Sequence, residues 1–312
     1  MKTINSFAQT VKEEIVSKKY SDERLLAILS SFARVTGSII IRNKSEIISL
    51  KISNPKIAKF IYSSIQKTLK ITPTISYLKR PNLNKNTCYI ISFKNNCVLD
   101  QLHLDFLEEK IHRDFIKNNE VIGGYLAGVF LASGSVNTPR NSNYHLEVSM
   151  NSQNYAKWII HLLNKYDGTH FDAKIIKRRD RYIVYLKRSD QISDFLILIG
   201  ATEACLYFEN ERVDRDLANI TNRYQNLDTA NYQKIVMRAN KDIVIIQKLI
   251  KKYGYAELGS EKTILLCEMR IKYPEASLDE LAKIMSKDLK TNISKSNVNH
   301  LLRAIRTRGN NV

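Results

Sequence analysis

A glycine-containing apolar stretch in the middle of the chain, GGYLAGVFLASGSV at residues 123–136, constrains the fold more than any other feature. Gly124, Ala127 and Gly128 leave almost no side chain on one side of a helix, so that a second backbone can approach closely there. Gly134 follows the last residue of this pattern, where a glycine commonly ends a helix. The stretch therefore predicts a helix that packs tightly against a similar helix and leads into a strand.

A second segment, LLAILSSFARVTGSIII at residues 25–41, has the same outline of apolar helix, small residues, Gly-Ser pair and extended run. Further segments match in the same order: SLKIS (49–53) with HLEVS (145–149), AKFI (58–61) with AKWI (156–159), TISYLKR (74–80) with DAKIIKR (172–178), and YIISF (89–93) with YIVYL (182–186). Each copy reads helix, two strands, helix, two strands and a closing helix. The sequence therefore predicts an internal duplication in which the first helices of the two copies pair.

The net charge indicates the class of partner. Lys and Arg number 49 against 31 Asp and Glu, which gives a formal charge of +18 over 312 residues. A surplus of this sign favours a polyanion, most simply a nucleic acid. The hydrophobic content of 44% supports real cores, and the length allows two or three domains.

The N-terminal stretch, MKTINSFAQTVKEEIVSKK, predicts a short amphipathic helix with acidic residues instead of a signal peptide. Apolar runs nearby are far below membrane length, and the 4 cysteines form no CxxC pair. We therefore expect a cytoplasmic chain with no membrane partner.

Two groups of potential metal ligands have spacings that match no known pattern. One comprises His161, Asp167 and His170, and the other comprises Cys97, His103 and His112. The sequence therefore predicts neither a metal site nor a bound cofactor.

The last two strands of the second copy lie in a strongly basic stretch, KIIKRRDRYIVYLKR at residues 174–188. On a two-stranded hairpin its candidates for phosphate contacts are Lys177, Arg178, Arg179 and Arg181. A solvated hairpin tip is an equally good interpretation, because charged edge strands also protect sheets from aggregation. The sequence leaves both interpretations open.

The C-terminal third of the chain is helical in pattern. Apolar residues recur at threes and fours from Ile235 to Leu249, which predicts a long connecting helix from about Asp228 to Gly254. Three short helices then follow: EKTILLCEMRIKY, a helix opened by a capping box that starts at Ser277, and KSNVNHLLRAIRTRG capped by Ser294. This succession predicts a helix-turn-helix.

The last helix has one apolar face, which consists of Val298, Leu301, Leu302 and Ile305. The opposite face and its flanks carry the candidate DNA-binding residues Lys295, Ser296, Asn297, Asn299, His300, Arg303 and Arg306. Arg pairs with guanine and Asn with adenine, while a helix N-terminus beside a lysine suits a phosphate. This face therefore predicts recognition of double-stranded DNA.

The segment LAGVFLASG at residues 126–134 resembles the LAGLIDADG signature of homing endonucleases. The resemblance implies two such helices at a pseudo-twofold axis above a saddle of strands that lies on DNA. In those nucleases an acidic residue before each helix-terminal glycine holds the catalytic metal ions, whereas Ser133 and Thr36 stand there in this chain. Hydroxyls are weak ligands for Mg²⁺, and the nearest carboxylates, Glu46 and Glu147, lie in predicted strands. We therefore expect no catalytic residues, with a divergent metal-dependent endonuclease as the alternative.

Over almost its entire length the chain resembles the WhiA family of bacterial regulators. The resemblance is carried by SFAQTVKEE, YLAGVFLASGSVNTPRNSNYHLEV, FENERVDRDLANITNRYQNLDTAN, YPEASLDELAKIM and SKSNVNHLLRAI. It implies a sequence-specific transcriptional regulator of cell division, chromosome segregation or sporulation that is associated with the nucleoid and has lost nuclease activity. A third hypothesis keeps the helix-turn-helix on DNA while the saddle docks a protein partner.

These observations together predict an α+β chain, in which a duplicated αββαββα domain precedes an all-α domain. The expected domains are residues 1–110 for the first repeat and 111–210 for the second, then 211–259 for a helical connector and 260–312 for the helix-turn-helix.

Overall fold

The computed structural model describes residues 6–42, 45–79, 87–95, 98–104, 111–140, 143–255 and 258–310. The chain divides into two compact units, Met1–Arg215 and Asp216–Val312. Among the described residues, no helix is both long enough and apolar enough to cross a membrane.

The first unit contains the predicted duplication. After α1 (Phe7–Ser17), copy one consists of α2 (Asp22–Thr36), β1 (Gly37–Arg42), β2 (Ser45–Ile52), α3 (Pro55–Leu69), β3 (Thr74–Lys79), β4 (Thr87–Lys94) and α4 (Val98–Gln101). Copy two consists of α5 (Asn119–Ser133), β5 (Gly134–Val136), β6 (Leu146–Met150), α6 (Gln153–Leu163), β7 (Lys174–Arg178), β8 (Arg181–Leu186) and α7 (Ser189–Leu198). Both sheets are antiparallel and share one strand order, β1-β2-β4-β3 and β5-β6-β8-β7. The predicted α+β class is confirmed.

The helices α2 and α5 pack along the small-residue faces that the sequence predicts. A Cβ atom on Gly128 would collide with the Ser31 hydroxyl and the Ile28 carbonyl. A Cβ atom on Gly124 would lie 2.8 Å from the carbonyl oxygen of Arg24. Ser31 is the copy-one counterpart of Gly128, and a contact between counterparts is what a twofold relation produces at its axis. The glycines are therefore required by the helix pairing.

Gly134 ends α5 for a steric reason, since its backbone is extended (φ −74°, ψ 148°) and could be adopted by any residue. A Cβ atom at this position would lie 2.6 Å from the carbonyl oxygen of Phe130. Gly37, at the end of α2, is crowded in the same way by the carbonyl of Ala33. Each helix therefore passes directly into a strand through a residue that must lack a side chain.

The sheet of copy two has one buried face and one open face. Along β6, Leu146, Val148 and Met150 are buried, whereas Glu147 and Ser149 are half-buried on the opposite side. The alternation fixes which basic residues of the neighbouring strands lie on the open face.

The long helix α8 (Thr202–Tyr253) joins the two units as one uninterrupted element. It ends at Gly254 as predicted, in the left-handed conformation (φ 79°) that favours glycine. The predicted start near Asp228 is wrong, because the helix begins at Thr202. Residues 216–234 are exposed throughout, so no apolar stripe in the sequence marks the helix there. These residues are therefore helical although they contribute to no core.

The second unit adds α9 (Glu261–Lys272), α10 (Leu278–Asp288) and α11 (Lys295–Asn310) to the end of α8. All four helices contribute to one core, which includes Ile246 and Leu249 of α8 with Leu266, Leu281, Met285, Val298 and Leu302. The end of the connecting helix is therefore part of the helix-turn-helix core.

Candidate nucleic-acid interface

The two ends of α10 are fixed by local hydrogen bonds. The Ser277 side chain accepts from the Glu280 backbone at 3.2 Å, and the Glu280 carboxylate accepts from the Ser277 backbone at 2.7 Å. This is the predicted capping box. At the other end of α10, the Ser286 hydroxyl accepts from the backbone of buried Ile293 at 2.9 Å. Both ends of α10 are therefore held, which fixes the position where α11 begins.

The helix α11 has the predicted cap and buried face. The hydroxyl of Ser294 accepts from the backbone N–H of Asn297 at 3.2 Å. Val298, Leu302 and Ile305 are buried, while Leu301 is only half-buried at the edge of the core. These contacts fix the rotation of α11 about its axis, and therefore which side chains face outward.

The outward face of α11 consists of polar side chains. Its exposed residues are Lys295, Ser296, Asn297, His300 and Arg303, and half-buried Asn299 lies beside them. Within the described part of the chain, no hydrogen bond or ion pair engages the side chains of Ser296, His300 or Arg303. Such groups are free to form hydrogen bonds with a ligand.

Arg306 differs from the other residues of the predicted set. Its guanidinium donates to both carboxylate oxygens of Asp242 in α8, at 2.6 and 2.9 Å. Asp242 is only 2% exposed, and its hydrogen bond raises the pKa of Arg306. Arg306 therefore ties α11 to α8, and its guanidinium is less available to DNA than that of Arg303, while its predicted DNA contact stays a prediction. No local sequence pattern indicates this pair, because its partners are 64 positions apart.

The basic hairpin of β7 and β8 does not present its cations on one surface. Arg181 donates to the hydroxyl of Ser149 at 2.6 Å and to its carbonyl at 3.0 Å, on the open face of the copy-two sheet. Arg178 lies 3.9 Å from Glu147 on the same face. The neighbouring side chain of Lys177 points to the other face, where its ammonium lies 5.8 Å from the ring centroid of Tyr182.

Arg179 occupies the turn of this hairpin with φ at 55°. It is exposed, and no described residue forms an ion pair with it. Of the four residues predicted to contact phosphates, Arg179 is therefore the one with the fewest interactions with described residues.

The residues that replace the nuclease acids bond to the backbone. The hydroxyl of Thr36 donates to the Phe32 carbonyl at 2.8 Å. Ser133 donates to the Val129 carbonyl at 3.4 Å and accepts from the Ser149 backbone at 3.2 Å. Both hydroxyls are therefore used within the fold.

The two nearest carboxylates lie in strands, as predicted. Glu46 of β2 accepts from the Asn95 amide at 2.6 Å, and Glu147 of β6 lies 2.9 Å from a ring nitrogen of His145. The ends of α2 and α5 consequently offer neutral hydroxyls where the nucleases carry acids.

Of the two groups of potential metal ligands in the sequence, one comes together in part among the described residues and the other does not. His161, Asp167 and His170 form no ligand cluster among the described residues. Cys97 lies outside the described residues, but His103 and His112 do come together, with Asp114 as a third member that the sequence pattern did not reveal.

The fold and the interface define a class of protein: a duplicated LAGLIDADG-like domain followed by a helix-turn-helix. Three family models match in that order, the WhiA N-terminal LAGLIDADG-like domain at residues 22–105, the WhiA LAGLIDADG-like domain at 122–218, and the WhiA C-terminal HTH domain at 221–308. The chain belongs to the WhiA family.

Similar proteins extend over nearly the whole chain. The probable cell division protein WhiA of Enterococcus faecalis is 35% identical over 306 residues, and the match covers 96% of each chain. The one of Staphylococcus saprophyticus is 36% identical over 305 residues, which covers 96% of this chain and 95% of the relative. The crystal structure of full-length DUF199/WhiA from Thermatoga maritima shares the fold with a TM-score of 0.61 at 20% identity, and covers 98% of this chain and 99% of its own.

Proposed function

We propose that this chain is a sequence-specific DNA-binding transcriptional regulator of cell division, chromosome segregation or sporulation, associated with the nucleoid in the cytoplasm. The observation that carries the proposal is the outward face of α11, where polar side chains stand unpaired above a buried apolar face. The relatives named cell division proteins support the cellular role.

The chemistry of that face suits direct readout of bases. A free guanidinium at Arg303 matches the two acceptors of guanine in the major groove, and Asn299 can pair with adenine. Lys295 lies in the first turn of α11, where the positive end of the helix dipole and unpaired N–H groups favour a phosphate. Ser296, Asn297 and His300 complete the face between these two contacts.

We propose that nuclease activity has been lost. Hydrolysis of the LAGLIDADG kind requires carboxylates that concentrate divalent metal and activate water. Ser133 and Thr36 are neutral, and their hydroxyls already bond to backbone groups. The helix pair therefore serves as a scaffold.

The saddle of strands is proposed to have two kinds of contact. On copy two, Arg179 supports a phosphate contact, whereas Arg178 and Arg181 already contact Glu147 and Ser149 and Lys177 lies on the other face of the sheet. On copy one, Ile40 and Leu78 are 48% and 56% exposed on the face opposite the buried strand residues, which favours a protein partner.

Chromatin immunoprecipitation of the tagged full-length protein tests the proposal. We expect discrete sites of occupancy that share a short motif, and purified protein should prefer that motif over a scrambled duplex. Occupancy spread evenly along the chromosome, with equal affinity for both duplexes, would contradict a sequence-specific regulator.

A further inference from the structure

A cluster of two histidines and an aspartate lies where copy one ends and copy two begins. His103 follows α4, whereas His112 and Asp114 lie at the start of a 3₁₀ helix, Arg113–Ile116, that leads into α5. Asp114 Oδ2 is 3.2 Å from His103 Nε2 and 3.3 Å from His112 Nδ1. The three potential ligand atoms all lie within 4.8 Å of one another.

We propose that His103, His112 and Asp114 bind one divalent transition-metal ion of the Zn²⁺ type. Two imidazole nitrogens and a carboxylate oxygen are the donors that such ions take in proteins. Ligands bonded at about 2.1 Å to a tetrahedral ion lie about 3.4 Å from each other, close to both measured separations. The site is separate from the helix ends where the nucleases bind metal.

Both histidines already lie beside the carboxylate that would share the ion with them. His112 Nδ1 accepts a hydrogen bond from the Asp114 backbone at 3.3 Å, so this nitrogen carries a lone pair. Metal binding would replace the hydrogen bond from the Asp114 backbone to His112 Nδ1.

Two features of the cluster must change when the ion binds. The imidazole rings are stacked, with centroids 4.0 Å apart and planes at 2°, so each must rotate about its Cβ–Cγ bond for the lone pairs to converge. The Lys117 ammonium lies 2.7 Å from Asp114 Oδ1 and competes for the carboxylate. Lys117 therefore weakens the site, and its removal should strengthen it.

The ion would connect the two copies. His103 belongs to the end of copy one, and Phe115, next to Asp114, packs against Tyr125 of α5 with ring centroids 5.2 Å apart. A ligand that binds only the folded state stabilises it by mass action. Saturating Zn²⁺ should therefore raise the melting temperature of the first unit.

Calorimetric titration of metal-free full-length protein with Zn²⁺ tests the site, and the visible absorption of bound Co²⁺ reports its geometry. We expect one ion per chain with tetrahedral Co²⁺ bands. His103→Asn and Asp114→Asn should each lower the affinity at least about tenfold, as loss of a ligand should cost no less than loss of its supporting contacts. Asn suits position 103 because it tolerates the positive φ of 48° there.

Two further variants separate this site from adventitious binding by surface histidines. Lys117→Met should tighten Zn²⁺ binding severalfold, since it removes the competing ammonium. His161→Ala, at an exposed histidine of α6, should leave the affinity unchanged. Circular dichroism should show every variant folded. Failure of the full-length protein to bind Zn²⁺ would overturn the proposal, as would unchanged binding in His103→Asn and Asp114→Asn.

Discussion

The ends of α2 and α5 and the outward face of α11 use polar side chains in opposite ways. Thr36 and Ser133 bond to the backbone of their own helices, and Ser133 also holds a neighbouring strand. On α11, the side chains of Ser296, His300 and Arg303 have no hydrogen-bonding partner in the described part of the chain. A polar group that is satisfied internally contributes to folding, whereas one that is left unpaired on a rigid helix is available to a ligand.

The same distinction applies within α11 itself. Arg303 and Arg306 are three residues apart on one helix, but only Arg306 is paired with a buried carboxylate. The sequence assigned both to DNA. Their substitution should therefore separate a contribution to stability from a contribution to binding.

The largest expected effect is that of Arg306→Ala on stability. Removing Arg306 takes the bidentate partner from the buried Asp242 carboxylate, which should cost less than the ~3 to 5 kcal/mol of a fully buried pair, because the Arg306 side chain is 36% exposed and Arg270 also attracts the carboxylate. Hydrogen exchange of the amides of α11 in the full-length protein should show a loss of protection of that order. The double variant Asp242→Asn/Arg306→Ala is the control and should recover part of the loss. Unchanged hydrogen-exchange protection of α11 in Arg306→Ala would show that the ion pair does not stabilise the fold.

Arg303→Ala should act on binding alone. Loss of a guanidinium that reads a base should weaken binding to the preferred duplex by about 1 to 3 kcal/mol and leave a scrambled duplex almost unaffected. Fluorescence anisotropy with both duplexes measures the difference, and exchange protection of α11 should be unchanged. Equal weakening on the two duplexes would remove Arg303 from the base-reading set.

Lys295→Ala should have a smaller and less selective effect. A phosphate contact is independent of sequence, so both duplexes should lose affinity alike, and the slope of log affinity against log salt should fall by about one unit. A salt titration of Lys295→Ala and of the unmodified protein measures this slope. Discrimination between duplexes that disappears with Lys295 would place this residue on a base instead.

The smallest expected effect concerns the helix ends, where Thr36→Ala/Ser133→Ala should change DNA cleavage not at all. With Mg²⁺ or Mn²⁺, neither the unmodified protein nor the double variant should nick a supercoiled plasmid, since no carboxylate stands before either glycine. An active homing endonuclease serves as the positive control. Cleavage that is abolished by chelator and survives stringent purification would restore the nuclease alternative.

Features that depend on residues close together in the chain could be predicted from the sequence. The capping box at Ser277 and Glu280, the cap at Ser294 and the stop at Gly254 depend on residues within one turn, and the structure confirms each of them. The duplication could also be predicted, because each copy repeats the same order of apolar patterns.

Features set by distant contacts could not. The pairing of Arg306 with Asp242 joins two helices, and Asp114 completes the histidine cluster only when residues 103 and 112 are brought together. Strand alternation could have shown that Lys177 and Arg178 face opposite ways, but only once the hairpin register was known. The predicted start of the connecting helix near Asp228 is wrong because residues 216–234 are exposed throughout, so no apolar stripe in the sequence marks the part of α8 that precedes Ile235.

At the junction of α5 and β5, two neighbouring residues are constrained for different physical reasons. At Gly134 any side chain would meet the Phe130 carbonyl, so the residue is fixed by space whatever the protein does. At Ser133 an acid would be required only by cleavage chemistry, and the loss of nuclease activity that we propose would remove that requirement. In a protein of this fold that cuts no DNA, the position before the glycine should therefore tolerate substitution while the glycine itself does not, so the glycine can persist without the activity.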